Sequence, residues 1–178
     1  MRLTPGGAGR PVLAAAEESG SGNVNYVRRA VREGRGTVFG HSSKMEHLQK
    51  VTLFRDLSRK QLNQVARLAD EVDVEAGRRL ATAGESGHEL FVVVEGYATV
   101  KAGRGRQGRL GPGEFFGEMS LVDGGPRSAS VEAATDMRLL VVGRREFWQL
   151  LNEAPSLGQK IMETLSRRVR DAEAEVTA

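Results

Sequence analysis

Glycines divide the middle of this chain into short segments, and this spacing constrains the fold more than any other feature. The chain has 178 residues, of which 22 are glycine. Between about residues 71 and 142, glycine-rich turns separate short apolar segments, such as the continuous run at 90–94 and the strand pattern at 137–142. Short strands joined by frequent turns favour an antiparallel barrel or roll, because βαβ units need long helical crossovers. A further strand is expected to begin at Val131.

Helical patterns lie on both sides of this region. Before it, Ser58 and Gln61 have the spacing of a capping box, which predicts a helix that continues to about residue 69. After it, residues 144–152 form a second helical pattern, and Pro155 stands where a helix start tolerates proline. The last helix carries an apolar stripe with four-residue steps: Leu157, Ile161, Leu165 and Val169. We expect this stripe to pack on the roll.

The first 43 residues form a segment with a different composition. Residues 1–22 are rich in Gly, Ala, Ser and Glu, which predicts disorder. Residues 24–33 could form a short helix, ended by Gly34 and Gly36. We therefore expect a flexible segment over residues 1–43 and one domain over residues 44–178.

Composition excludes several classes of function. The net charge of +3 is spread along the chain without a run of five like charges, which favours a mixed solvated surface over a nucleic-acid interface. The chain lacks cysteine and has three scattered histidines, so no metal site is expected. It has no apolar stretch of about 20 residues and no signal-peptide pattern, which predicts a soluble cytoplasmic protein without membrane contact.

Residues 113–131 combine the groups needed to hold a phosphate fused to a sugar. Arg127 offers a planar fork of donors for phosphate oxygens, and Ser128 and Ala129 are small enough for close backbone contact. Glu118 can accept a hydrogen bond from a sugar hydroxyl, and Gly117 lets the chain approach without a Cβ. Residues 117–121, including Met119 and Ser120, are expected to form one helical turn whose N–H groups face the ligand.

This segment, together with the order of elements over about 130 residues, resembles the cyclic nucleotide-binding domain family. That family includes the catabolite activator protein, the regulatory subunits of protein kinase A and cyclic nucleotide-gated channels. The resemblance implies an α+β fold: an eight-stranded antiparallel β-roll, similar to a jelly roll, with an N-terminal helix and two C-terminal helices. It also implies that Arg127 binds the cyclic phosphate and that Glu118 accepts the ribose 2′-OH.

The resemblance also has implications for recognition of the purine base and for the relay of ligand binding to other proteins. Ser128, where a threonine is associated with cyclic GMP, favours cyclic AMP as the ligand. Arg168 falls where related channel domains place an arginine against the purine. Three apolar residues are either plain core or part of the lining of the base and ribose pocket: Phe116, Leu110 and Val100. No cofactor beyond the ligand is implied, and the C-terminal helices would relay binding to a protein effector.

Other interpretations remain open from the residues alone. Arg127 could be a surface arginine paired with Asp123 or Glu118, and Glu118 could be a solvated turn carboxylate. The chain could also be a structural or interaction domain that kept the fold without a ligand. An enzyme has little support, because the sequence offers no nucleophile–base pair and no Walker loop. The Gly/Arg-rich segment 101–109 is expected to be a mobile hairpin, and no helix-turn-helix is expected after the last helix.

Overall fold

The computed structural model describes residues 41–177, with side chains over 44–174. Its helices are α1 (His41–Lys50), α2 (Arg59–Leu68), α3 (Glu118–Asp123), α4 (Arg144–Glu153) and α5 (Pro155–Thr177), with 3-10 turns at Thr52–Phe54 and Gly103–Gly105. Its strands are β1 (Asp70–Val74), β2 (Arg79–Ala81), β3 (Glu89–Glu95), β4 (Ala98–Ala102), β5 (Gln107–Leu110), β6 (Phe115–Phe116), β7 (Ala129–Ala133) and β8 (Met137–Gly143). The predicted disorder at 1–22 and the predicted helix at 24–33 lie outside the described residues.

The eight strands form two four-stranded antiparallel sheets. One sheet has the order β1-β8-β3-β6 and the other the order β2-β7-β4-β5. Apolar side chains between the sheets form one core cluster, which includes Phe91, Phe116 and Leu139. The expected α+β roll with flanking helices is therefore confirmed.

A second apolar cluster lies on the outer side of the β1-β8-β3-β6 sheet, under the helices. Strand β3 contributes to both clusters: Phe91 and Val93 face the interior of the roll, whereas Leu90 and Val92 pack with the helices. Both faces of β3 are thus covered, because successive strand residues point to opposite sides of a sheet. This explains why residues 90–94 form a continuous apolar run instead of alternating with polar residues.

The predicted start of helix α2 agrees with the structure. The capping box is present, since the Ser58 hydroxyl accepts from the Gln61 N–H at 3.3 Å and the Gln61 side chain accepts from the Ser58 N–H at 2.9 Å. Two expectations need correction. Strand β7 begins at Ala129, two residues before Val131, and helix α1 precedes the helix predicted at Ser58, so two helices precede the roll in the part of the chain that the structure describes.

The stripe of the last helix packs only in part. Leu157 and Ile161 are buried in the helical cluster and Leu165 is partly buried, but Val169 is 52% exposed. Each four-residue step advances about 40° beyond a full turn, so the stripe rotates away from the roll along the helix. Within residues 41–177, no helix is both long enough and apolar enough to cross a membrane.

Candidate functional site

A glycine reverses the chain at the start of the site. Gly117 follows β6 with φ of +91° and is the N-cap of α3, so the expected helical turn is present over Glu118–Asp123. Only glycine adopts this backbone conformation without strain. The reversal turns Glu118 inward, where 1% of its surface is exposed. The interpretation of Glu118 as a solvated carboxylate therefore does not describe this structure.

Arg127 is buried beside this turn, with 4% of its surface exposed. Its Nη1 donates to the Gly117 carbonyl at 2.9 Å, and its Nη2 donates to Glu89 Oε2 at 3.3 Å. The surface interpretation named Asp123 or Glu118 as its partner, but the ion pair is formed with Glu89. The guanidinium is thus fixed by a carbonyl and a carboxylate at the inner side of α3.

Two glycines leave the space that the Arg127 guanidinium occupies. A Cβ built on Gly87 would lie 2.0 Å from Arg127 Nε, and one built on Gly117 would lie 2.4 Å from Arg127 Nη1. A Cβ atom does not come this close to a non-bonded atom, so a side chain at either position would displace the arginine or the backbone. The backbone of Arg127 is held as well, since its N–H donates to the Glu85 carbonyl at 2.8 Å.

Glu118 faces the last helix through Arg168. Glu118 Oε1 accepts a hydrogen bond from Arg168 Nη1, and Arg168 Nη2 donates to the Phe115 carbonyl. The guanidinium also lies 5.1 Å from the centre of the Phe115 ring. Glu118 Oε2 is buried and has no hydrogen-bond partner. Arg168 therefore contacts segment 113–131 itself, and its contact with a purine stays a prediction.

The other predicted residues of segment 117–129 differ in how far they are exposed. Ser120 is buried in α3, whereas Met119 is 40% exposed and its sulfur accepts from the exposed Ser128 hydroxyl at 3.5 Å. Ala129 is half-buried and begins β7, opposite Ala102 of β4.

The three apolar candidates lie in the core of the roll. Phe116 stacks on Phe91 with ring centres 4.8 Å apart, and Leu110 and Val100 pack in the same cluster. The Arg127 guanidinium carbon lies 5.6 Å from the centre of the Phe91 ring. Phe91 thus connects this apolar cluster to the arginine.

Two residues at the site were not predicted from the sequence. Glu89 pairs with Arg127, and Gly87 makes room for it. The sequence could have indicated Glu89, because this residue begins a strand that is otherwise buried and apolar. An unpaired carboxylate would be costly there, so a partner could have been expected. No sequence pattern indicated Gly87, since its role depends on the Arg127 side chain, 40 positions away in the sequence.

The site combines two buried carboxylates, Glu89 and Glu118, with two guanidiniums, those of Arg127 and Arg168. Such an arrangement can bind a ligand that has both an anionic group and a hydroxyl group. Within the described residues, no cluster of three or more potential ligating side chains could hold a metal ion.

Comparison with known proteins places the chain among cyclic nucleotide-binding domains. The family model for the cyclic nucleotide-binding domain matches residues 71–154. The chain is 38% identical to a cyclic nucleotide-gated potassium channel of Rhizobium etli, over 66% of this chain and 33% of the channel. The chain thus spans only a third of that relative's length.

Solved structures extend the comparison to the fold. The catabolite activator protein of Thermus thermophilus is 31% identical with a TM-score of 0.63, covering 70% of this chain and 61% of that one. A structure described within a cyclic-GMP-dependent pathway that regulates bacterial phytopathogenesis is also 31% identical. It has a TM-score of 0.56, covering 65% of this chain and 95% of that one.

Proposed function

Because the chain belongs to the cyclic nucleotide-binding domain family, we propose that it is a cytoplasmic receptor module for 3′,5′-cyclic AMP. Domains of this family bind a ligand and regulate other proteins or domains, and they are not catalytic. In this proposal the ligand occupies the site at α3, and the C-terminal helices relay its binding to a protein effector.

The burial of Arg127 and Glu118 in one short segment supports this proposal most. They are nine positions apart, and each is almost completely buried. Even paired charges lose hydration when they are buried, and apolar residues would often stabilise the fold equally well, so such a cluster is seldom retained for stability alone. Arg127 would bind the cyclic phosphate with two charge-assisted hydrogen bonds. The Glu118 oxygen that lacks a partner would accept the ribose 2′-OH, which would select ribose over deoxyribose.

The choice of cyclic AMP depends on Ser128. Its hydroxyl now donates to the Met119 sulfur, which is a weak acceptor, so a purine edge could replace this contact at low cost. A threonine at this position is associated with cyclic GMP, and serine favours cyclic AMP. Cyclic GMP remains the second candidate nucleotide, since one similar structure is described within a cyclic-GMP-dependent pathway.

The relay would act through Arg168. Its side chain joins α5 to Glu118 and to the Phe115 carbonyl, which are parts of the proposed site. A ligand that bonds Glu118 would change the free energy of this contact. A ligand shifts a conformational equilibrium by its difference in affinity for the two states, so the position of α5 would depend on occupancy.

A second candidate function is a structural or interaction domain that binds no nucleotide. One observation favours it: Arg127 and Arg168 each have a carboxylate partner within the protein. In that case the four charged groups would stabilise a fixed arrangement of β3, α3 and α5.

Titration calorimetry with cyclic AMP, cyclic GMP and linear 5′-AMP tests the proposal. We expect cyclic AMP to bind with a dissociation constant of about 1 μM or less, near −8 kcal/mol. Cyclic GMP should bind more weakly, and 5′-AMP much more weakly, because its extra charge does not fit a site shaped for a ring. The absence of both heat and thermal stabilisation with millimolar cyclic nucleotide would favour the second candidate.

A further inference from the structure

The hairpin that joins β4 to β5 carries a concentration of positive charge. Residues 101–109, called the basic hairpin below, contain four basic residues and no acidic residue. The basic residues are Lys101, Arg104, Arg106 and Arg109, and all four are exposed. The proposed ligand site uses none of them.

Strand β5 lies at the edge of its sheet. The strand order is β2-β7-β4-β5, so among the described residues β5 pairs with β4 alone. The Ala102 N–H donates to the Arg106 carbonyl at 2.9 Å. Hydrogen-bonded and non-hydrogen-bonded pairs alternate along an antiparallel ladder, so Gln107 and Arg109 direct their backbone groups away from β4. The free N–H and C=O groups of Gln107 and Arg109 can therefore pair with the backbone of another strand.

The side chains beside this edge form a positive surface with one aromatic ring. Val100 and Leu110 pack in the core, so the residues that alternate with them, Lys101 and Arg109, face outward. The Arg109 guanidinium lies 3.8 Å from the centre of the Tyr97 ring, which is itself 40% exposed. An extended peptide with acidic residues at alternate positions would place its carboxylates over these cations.

The turn of the hairpin provides an independent observation. Arg104 has φ of 60° and ψ of 29°, the left-handed conformation, and is the only non-glycine residue with positive φ in the described part of the chain. Its neighbours Gly103 and Gly105 are glycines, and a glycine at 104 would form the same turn without strain. Turn geometry therefore does not explain an arginine here, and strained positions cluster where a side chain has a function.

We propose that β5 binds an extended acidic segment of a partner protein, which adds as a fifth strand to the β2-β7-β4-β5 sheet. Backbone hydrogen bonds to Gln107 and Arg109 would supply affinity, and the basic hairpin would select acidic side chains. A nucleic acid has no backbone groups that match a strand edge. A membrane surface is disfavoured as well, because the exposed residues of β5, Gln107 to Arg109, include no apolar side chain to insert into lipid.

The simplest competing explanation is that the charges only prevent edge-to-edge aggregation. The test uses the full-length protein and a fluorescent octapeptide of alternating glutamate and threonine or valine, measured by fluorescence anisotropy. A second peptide has the same charges but N-methyl groups on alternate backbone nitrogens. The proposal predicts saturable binding of the first peptide and about tenfold weaker binding of the second. It also predicts slower amide exchange at Gln107 and Arg109 in the complex.

Matched variants separate charge from folding. Arg104→Gly should weaken peptide binding several-fold, with an equal or higher melting temperature and unchanged cyclic nucleotide affinity. Lys60→Ala removes the same charge from the exposed surface of α2 and should leave peptide binding unchanged. If neither peptide binds, or if both bind equally, the proposal is overturned. The basic side chains would then serve only to prevent edge-to-edge aggregation. Tighter binding of a single-stranded oligonucleotide or of vesicles with 30% anionic lipid, without protection at Gln107 and Arg109, would overturn it as well.

Discussion

At the scale of single residues, the site depends on the space that glycines leave. Gly117 and Gly77 both have a positive φ, +91° and +82°. A Cβ on Gly77 would contact nothing within 4 Å, whereas one on Gly117 would overlap Arg127 and the Glu89 carbonyl. The two positions therefore share the cost of a left-handed backbone and differ in what a side chain would displace.

Replacing each glycine by alanine separates these two effects. Both variants should lose about 1 kcal/mol of unfolding free energy because of backbone strain. Gly117→Ala should lose more, and it should also bind cyclic AMP at least tenfold more weakly because Arg127 moves. Urea unfolding and calorimetry on both variants measure this difference. Equal affinities would show that the position of Arg127 does not matter for binding.

Arg127 itself should be required for affinity. Arg127→Ala should weaken cyclic AMP binding by about 2–4 kcal/mol, and Arg127→Lys should recover only part, because an ammonium cannot form the bidentate contact. Since Arg127 pairs with the buried Glu89, the alanine variant should also lose about 3 kcal/mol of stability. That loss is below the usual 5–15 kcal/mol total, so circular dichroism should still show a folded protein. Unchanged affinity in a folded Arg127→Ala protein would place the phosphate elsewhere.

The sequence identified Arg127 and Glu118 but not what surrounds them. The motif is local, so spacing along the chain was enough to find it. Glu89 lies 38 positions from Arg127 and Arg168 lies 50 positions from Glu118, and only the fold shows that these pairs are in contact. Family resemblance identified Arg168 as a site residue, yet its contact with Glu118 followed only from the structure.

At the scale of elements, α5 is the part of the fold most directly coupled to the site. Its first turns are buried through Leu157 and Ile161, and Lys160 donates to Asp56 Oδ2 at 2.5 Å near the Thr52–Phe54 turn. Farther along, Val169 is exposed and Arg168 supplies the contact with Glu118. The first half of α5 is thus anchored by packing, and its second half includes the contact between Arg168 and Glu118 of the site.

Removing that contact should loosen the second half of α5. Arg168→Ala should weaken cyclic AMP binding by about 1–2 kcal/mol and reduce the added protection of residues 156–171 from hydrogen exchange when ligand binds. The control is Arg167→Ala, which removes the same charge from an exposed neighbour and should behave like the parent protein. If ligand adds no protection in the parent, or if Arg168→Ala binds normally, the proposed relay through Arg168 is wrong.

Elements with local signals could be predicted, and the others could not. The capping box marks α2, and the apolar runs mark β3 and β8. Helix α1 was missed because it begins without an acidic first turn and much of its sequence is polar. The stripe of α5 predicts packing along the whole helix, but Val169 is exposed. Its exposure depends on where the roll ends beside the helix, and the sequence alone does not give that position.

At the scale of the whole molecule, residues 44–178 should carry ligand binding on their own. The composition of residues 1–22 cannot bury enough apolar surface to offset the entropy of ordering them. A chain that begins at residue 41 should therefore keep its cyclic AMP affinity within a few-fold. Calorimetry on both lengths of chain checks this expectation, and a large loss would assign the first 40 residues a part in the site.

The central claim is that Glu118 and Arg127 form one site for a ribose cyclic phosphate. Calorimetry on the parent and Glu118→Ala proteins, each with cyclic AMP and its 2′-deoxy analogue, tests it most directly. In the parent, removal of the hydroxyl should cost about 1–3 kcal/mol, because it leaves the buried carboxylate without that bond. In Glu118→Ala the two nucleotides should bind equally. Equal affinity of both nucleotides for the parent, or the same loss in both proteins, would contradict the account.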